Sequence, residues 1–143
     1  MTALLLRRAH HAVAPMQQRE VDAAIEFVDG DPVLGVVVRM HLDRARASGA
    51  TGGLWTVRRR STRTPARTGD DLEGVIFTGA NLWPLLREGD STLVADVART
   101  VRTMVRRPAA IVGRRASVAA LWSSLERAWA SARLVRDRQL SMA

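Results

Sequence analysis

The chain has 143 residues, which is room for one domain spanning 1–143 and not for two. It has no cysteine, which excludes a disulfide scaffold, a thiolate nucleophile, a zinc finger and an iron–sulfur cluster. The net charge is +8, yet every basic residue is Arg and Tyr is absent, the skew of a GC-rich genome, so the charge implies weak nonspecific polyanion binding rather than a dedicated nucleic-acid protein.

Residues 3–6 read as a short strand. Arg7-Arg8 follow that apolar run on the wrong side for a secretory signal, no stretch reaches the roughly 18 apolar residues of a membrane span, and a cytoplasmic protein without a membrane is expected. Residues 16–29 read as a helix, with Val21, Ile25 and Val28 on one stripe and Gly30 as its stop. Asp31-Pro32 starts a second helix, with Asp31 as cap. It carries Val33, Leu34, Val36, Val37, Val38, Met40 and Leu42, apolar around much of its circumference and so expected to be buried on more than one side, and Gly49 ends it. Residues 53–58 and 72–78 read as strands joined by a flexible basic loop, 59–71, and 81–86 as a third strand limited to an edge by Pro84.

Asp90-Ser91 caps a helix with Leu93, Val94, Val97, Val101, Met104 and Val105 on one stripe, stopped by Pro108. Residues 109–112 read as a buried strand, and Gly113 turns the chain into a helix bearing Val118, Leu121, Trp122, Leu125 and Trp129. Residues 133–136 read as a last strand. The order β-α-α-β-β-β-α-β-α-β predicts an α/β (α+β) layer fold: a mixed central sheet flanked by helices, antiparallel in the middle hairpins and parallel where helices link the strands.

That order resembles the GNAT fold of acyl-CoA-dependent N-acetyltransferases. Three segments sharpen the likeness: Asp31-Pro32-Val33 with Val38 and Arg39; Gly79-Ala80-Asn81-Leu82 with Pro84; and Ile111-Val112-Gly113, Leu121-Trp122, Leu125, Trp129, then 132–136 and Gln139-Leu140. Together, over about residues 20–140, they are similar to DUF4081, a domain of unknown function that forms the N-terminal GNAT-like half of two-part actinobacterial acetyltransferases. The sequence departs from that pattern at Trp83, Ala130-Ser131 and Leu140. The resemblance implies a non-catalytic half that packs on a catalytic GNAT domain in cis and shapes its acceptor side, a half with no cofactor of its own. Such a catalytic domain is absent from the sequence, which ends at Ala143.

A working GNAT site holds the CoA pyrophosphate on backbone N–H groups at a helix N-terminus. Arg87, Gly89, Ser91 and Thr92 stand at that position and are the acetyl-CoA candidates if the chain is instead a self-contained transferase. Glu88 and Asp90 oppose this, since they place negative charge beside a pyrophosphate. Glu73 is a base candidate by position, with a solvent-facing strand carboxylate as the plainer reading, and no Tyr exists to act as acid, so no catalytic residue is assigned. Arg46-Ala47-Ser48-Gly49-Ala50-Thr51 reads as a helix end rather than a phosphate loop.

His10 and His11 point to opposite faces of any strand and make a poor chelate, so no metal is expected. His41 and Asp43 lie on different faces of a helix, which argues against a hydrolase triad. Arg58, Arg59, Arg60, Arg63 and Arg67 beside Trp55 form the third alternative, a nucleic-acid-binding loop. Asn81, Pro84, Gly113 and Trp122 are structural candidates, with Asn81 expected to bond backbone where the sheet splits. Trp122 and Trp129 are read first as core and second as part of a docking face for a partner domain or a homodimer.

Overall fold

Residues 10–60, 71–104 and 107–129 are described by a computed structural model. In chain order the elements are β1 (His11–Pro15), a 3-10 turn (Gln18–Glu20), α1 (Val21–Asp29), α2 (Val36–Ser48), β2 (Leu54–Arg59), β3 (Leu72–Thr78), β4 (Leu82–Leu86), α3 (Ser91–Arg102) and α4 (Arg115–Leu125). The sheet has the order β1-β2-β3-β4, and every neighbouring pair is antiparallel. One parallel bridge, Leu82 to Ile111, extends it beyond β4. The fold is therefore α+β, as expected, but among the described residues its sheet is antiparallel, and the expected parallel pairing is reduced to that one bridge.

Alternation along the strands sends side chains to two faces, and a separate core forms on each. On one face α1 and α2 bury Val21, Ile25, Val28, Val38 and Leu42 against Leu54, Leu72 and Val75. On the other, α3 and α4 bury Leu93, Val97, Val101, Leu121 and Leu125 against Val57, Ile76 and Leu82. Each fully buried side chain of this kind stabilises the fold by about 1.5–3 kcal/mol. The stripe read in α3 is the buried one, and in α4 Leu121 and Leu125 are fully buried while Trp122 and Trp129 pack partly exposed against the same core.

Several boundaries differ from the sequence reading: α1 begins at Val21 rather than at residue 16, and α3 and α4 end at Arg102 and Leu125, short of Met104 and Trp129. The strand expected at 3–6 lies outside the described residues, and the first described strand is β1, whose short run of small residues carries no propensity signal; pairing with β2 from His11↔Arg59 to Pro15↔Trp55 fixes it. The second helix starts at Val36, not after Asp31-Pro32. Residues 31–35 form a separate turn, in which the Asp31 carboxylate accepts from Leu34 N–H (3.2 Å) and the Asp31 carbonyl from Gly35 N–H (2.8 Å). Nor is α2 buried on more than one side: only Val38, Leu42 and Ala45 are buried, and Val36 and Met40 face outward. The segment 109–112 pairs with the chain entering β4 through three backbone bonds, Ala109 N–H to Ala80 O (2.7 Å), Leu82 N–H to Ala110 O (2.8 Å) and Val112 N–H to Leu82 O (2.9 Å), and forms a single bridge rather than the expected strand. Gly113 then passes so close to β4 that a Cβ there would sit 3.2 Å from Pro84 O. The expected strand at 133–136 and most of the 59–71 loop lie outside the described residues.

Candidate functional site

The turn from β4 into α3 gathers all four sequence candidates. Arg87 N–H closes the β3–β4 ladder on Glu73 O (2.8 Å), and the Arg87 guanidinium lies 3.2 Å from the Glu73 carboxylate. Gly89 adopts φ +87°, a left-handed turn that any other residue would strain to reach. Asp90 then caps α3, its carboxylate accepting from Thr92 N–H (2.9 Å), Leu93 N–H (3.3 Å) and the Thr92 hydroxyl (2.6 Å). Led by the Thr92 hydroxyl, these bonds hold the Asp90 carboxyl below the usual carboxylate range. Two of the free amides of α3, those of Thr92 and Leu93, the feature that would take an anion, are thus already engaged by a carboxylate of the chain itself.

Glu73 corrects the plainer sequence reading. It is not a solvent-facing strand carboxylate but 4% exposed, held by Arg59 (3.0 Å) and Arg87 (3.2 Å). The cause is a bulge: the β2–β3 register passes from Val57↔Gly74 to Arg58↔Leu72 and leaves Glu73 unpaired. Each of its two carboxylate oxygens faces a guanidinium, Oε1 that of Arg59 and Oε2 that of Arg87.

Beside the turn lies a buried cluster. His11 is 3% exposed, and Asp96 accepts both the His11 backbone N–H (2.9 Å) and a contact from Nδ1 (3.1 Å). Nε2 faces the Asp90 carboxylate at 3.5 Å and has no hydrogen-bond partner among the described residues. The cluster pins β1 to α3 at the helix start.

On the other side of the turn, β4, the end of α1 and the start of α4 enclose a cleft of about 530 Å³. Pro84 and Leu86 turn their backbone groups away from β3 toward this side, since Arg87 N–H pairing to Glu73 sets the alternation. Arg114 spans the cleft wall. It bonds Asp31 through Nη2 (2.6 Å) and Nε (3.1 Å), and it also pairs with Glu88. The Arg114 bond is the main reason the Asp31 carboxyl lies below its ordinary range. The α4 N-terminus has no side-chain cap, and Ser117, nearly buried in the lining, has no hydrogen-bond partner among the described residues.

The remaining candidates fall elsewhere. His10 is exposed and His11 buried, on opposite faces as the strand alternation requires. His41 stacks on Phe77 with ring centroids 3.6 Å apart, and burial holds its basicity below the ordinary imidazole value. Gly49, at φ +75°, ends α2 by donating its N–H to Ala45 O (2.8 Å), the C-cap expected of 46–51. Arg58 is tied to Glu20 (2.9 Å) and Asp71 (2.6 Å), and Trp55 packs toward the α3–α4 core, so neither is presented for base stacking; Arg63 and Arg67 lie outside the described residues. Asn81 meets Gly79 N–H through its backbone carbonyl (3.0 Å), and its side chain has no hydrogen bond among the described residues. Among the described residues no group of three or more His, Asp or Glu side chains could hold a metal, and no helix is long and apolar enough to cross a membrane.

Sequence reading missed the His11–Asp96 and Asp31–Arg114 contacts, which join residues 85 and 83 positions apart. One signal was present: Asp96 stands between Leu93 and Val97 at the edge of the apolar stripe, and a carboxylate there needs a buried partner. A family model described as a domain of unknown function (DUF4081) matches residues 54–143, more than half of the chain. No curated protein and no solved structure matches it.

Proposed function

Because the chain belongs to the DUF4081 family, we propose that it is a non-catalytic GNAT-like half of an acetyl-CoA-dependent N-acetyltransferase. In this reading it packs on a catalytic GNAT domain, shapes the acceptor side of that domain's site, and works in the cytoplasm. One observation carries it: Asp90 occupies the α3 amides that the GNAT resemblance would reserve for the CoA pyrophosphate. Glu88 adds a second carboxylate beside the turn, and Arg87 is drawn to Glu73 rather than left for a phosphate. A pyrophosphate arriving there would meet two like charges and lose its amides, a penalty of several kcal/mol when desolvated. Glu73 is engaged by two arginines and the sequence has no Tyr, so neither the base candidate nor the usual acid of transfer chemistry is on offer.

The cleft favours a second reading. Its volume of about 530 Å³ and the outward-turned backbone at Leu86 suit an extended amide-bearing chain such as pantetheine, so a self-contained transferase using Arg87, Gly89, Ser91 and Thr92 remains the competing hypothesis. Calorimetric titration of acetyl-CoA at moderate and high salt, with ATP as the polyanion control, separates the two. The docking reading expects no binding, or binding equal to that of ATP which vanishes as salt screens it. Saturable binding that survives high salt and is not matched by ATP refutes it.

A further inference from the structure

The chain is strongly basic, but its charge is not evenly spread. Residues 20–43 hold six carboxylates (Glu20, Asp22, Glu26, Asp29, Asp31 and Asp43) against one arginine, Arg39, and with Arg44 and Arg46 at the end of α2 the layer 20–48 still holds six against three. These residues build α1, the 31–35 turn and most of α2, the layer on one face of the sheet. The same layer carries the large exposed apolar side chains of the described structure: Val33 at 58%, Val36 at 62% and Met40 at 53%. Val36 and Met40 stand one helical turn apart, and with Val28 and Pro32 they line a groove of about 380 Å³. Asp29 and Asp43 border the groove, and both pair with Arg39, which lies between them.

We infer that this groove docks a basic amphipathic helix, its apolar residues set on Val36 and Met40 and its cations on Asp29 and Asp43. The charge distribution selects that occupant. A basic helix is repelled by the +8 chain as a whole and finds a net acidic surface in residues 20–43. An acidic helix would be drawn everywhere else. Two copies meeting through this face would set carboxylates against carboxylates, so a symmetric self-pairing is disfavoured. Apolar anchors flanked by charge are what a helix-binding groove needs. Arg39 acts as a placeholder, satisfying both carboxylates until a partner's cations replace it.

The inference rests on the docking reading above and names the chemistry of the partner surface. Its test uses a synthetic amphipathic helix of Leu and Arg, titrated into the isotope-labelled chain and followed by amide NMR shifts, with a Leu/Glu helix as control. The expected result is saturable binding of the Leu/Arg helix, with shifts centred on residues 29–43, and none with the control. Val36→Ser with Met40→Ser should weaken binding about tenfold. Asp29→Asn with Asp43→Asn should weaken it about two- to fivefold, and Arg39→Gln should tighten it by a similar factor, since the carboxylates lose their internal partner. These side chains are largely exposed, so the variants should keep the wild-type circular dichroism. No binding, equal binding of the Leu/Glu helix, or shifts centred on another face overturns the inference. So does sedimentation showing self-association that Val36→Ser abolishes, because a second copy is then the occupant. A positive acetyl-CoA titration would refute the docking reading and leave the peptide result standing by itself.

Discussion

Replacing Asp90 by Ala isolates the interaction that closes the α3 N-terminus. The change removes three bonds to one carboxylate oxygen, from Thr92 N–H, Leu93 N–H and the Thr92 hydroxyl, and leaves His11 Nε2 facing open space instead of a carboxylate 3.5 Å away. Loss of an N-cap costs about 1 kcal/mol, within roughly 0.5–2. With the His11 contact the expected loss is about 1–2 kcal/mol, a fall of about 3–7 °C in the unfolding midpoint for a chain of this size. The pH dependence has a definite sign. The folded Asp90 carboxyl titrates below its ordinary 3.8, lowered first by the Thr92 hydroxyl, then by the Leu93 and Thr92 amides and the nearby His11. Its contribution is therefore complete above that ordinary value and fades as pH falls through the folded one. Thermal melts of wild type and variant should differ fully at neutral pH and converge in strong acid. Asp90→Asn keeps a capping oxygen and should recover most of the loss near neutrality. A variant with Asn as unstable as the one with Ala, or a gap undiminished in acid, would refute the capping argument.

Leu121→Ala, at a fully buried site in the α3–α4 core, should lower the free energy of unfolding in urea by about 2–5 kcal/mol. Gly53→Ala should cost more than about 1 kcal/mol by the same assay, because φ is +81° and the new methyl would lie 2.6 Å from Thr78 O. His41, lowered by burial and then by Arg44, should stay neutral in an NMR titration to more acidic pH than a free imidazole. Its stacking on Phe77 thus stabilises the fold fully above the ordinary value of 6.5 and less as pH falls through the folded value; His41→Phe should flatten that limb of the stability–pH curve.

What the sequence made legible follows from how local each signal is. The strand at 72–78 and the α3 stripe were readable because a run of β-formers and a 3.6-residue period are written into adjacent residues. The start of α2 was not, since Asp31 caps either a helix or a tight turn, and contact with Val28 and Arg114 decides between them. A Cβ on Gly35 would sit 2.6 Å from Val28 Cγ1, so that turn is pressed against α1 in a way no local pattern records. Arg87, Gly89, Ser91 and Thr92 do come together at one turn, and the carboxylate that closes it was visible as an N-cap signature. The burial of Glu73 was not, because it depends on a bulge, which is a property of two strands rather than one.

Both edges of the sheet share a feature that bears on how the chain behaves when crowded with copies of itself. On β1 the residues turned away from β2 are His11, Val13 and Pro15: Asp96 takes the His11 N–H, and Pro15 has none to offer. On β4 they are Leu82, Pro84 and Leu86: Ala110 takes the Leu82 N–H, and Pro84 again has none. Among the described residues each edge is left with a single donor that has no partner, at Val13 and at Leu86. A growing fibril recruits strands by presenting an uninterrupted row of such donors. Neither edge provides that row, so the native sheet is a poor seed for amyloid even though its middle strand is rich in β-formers.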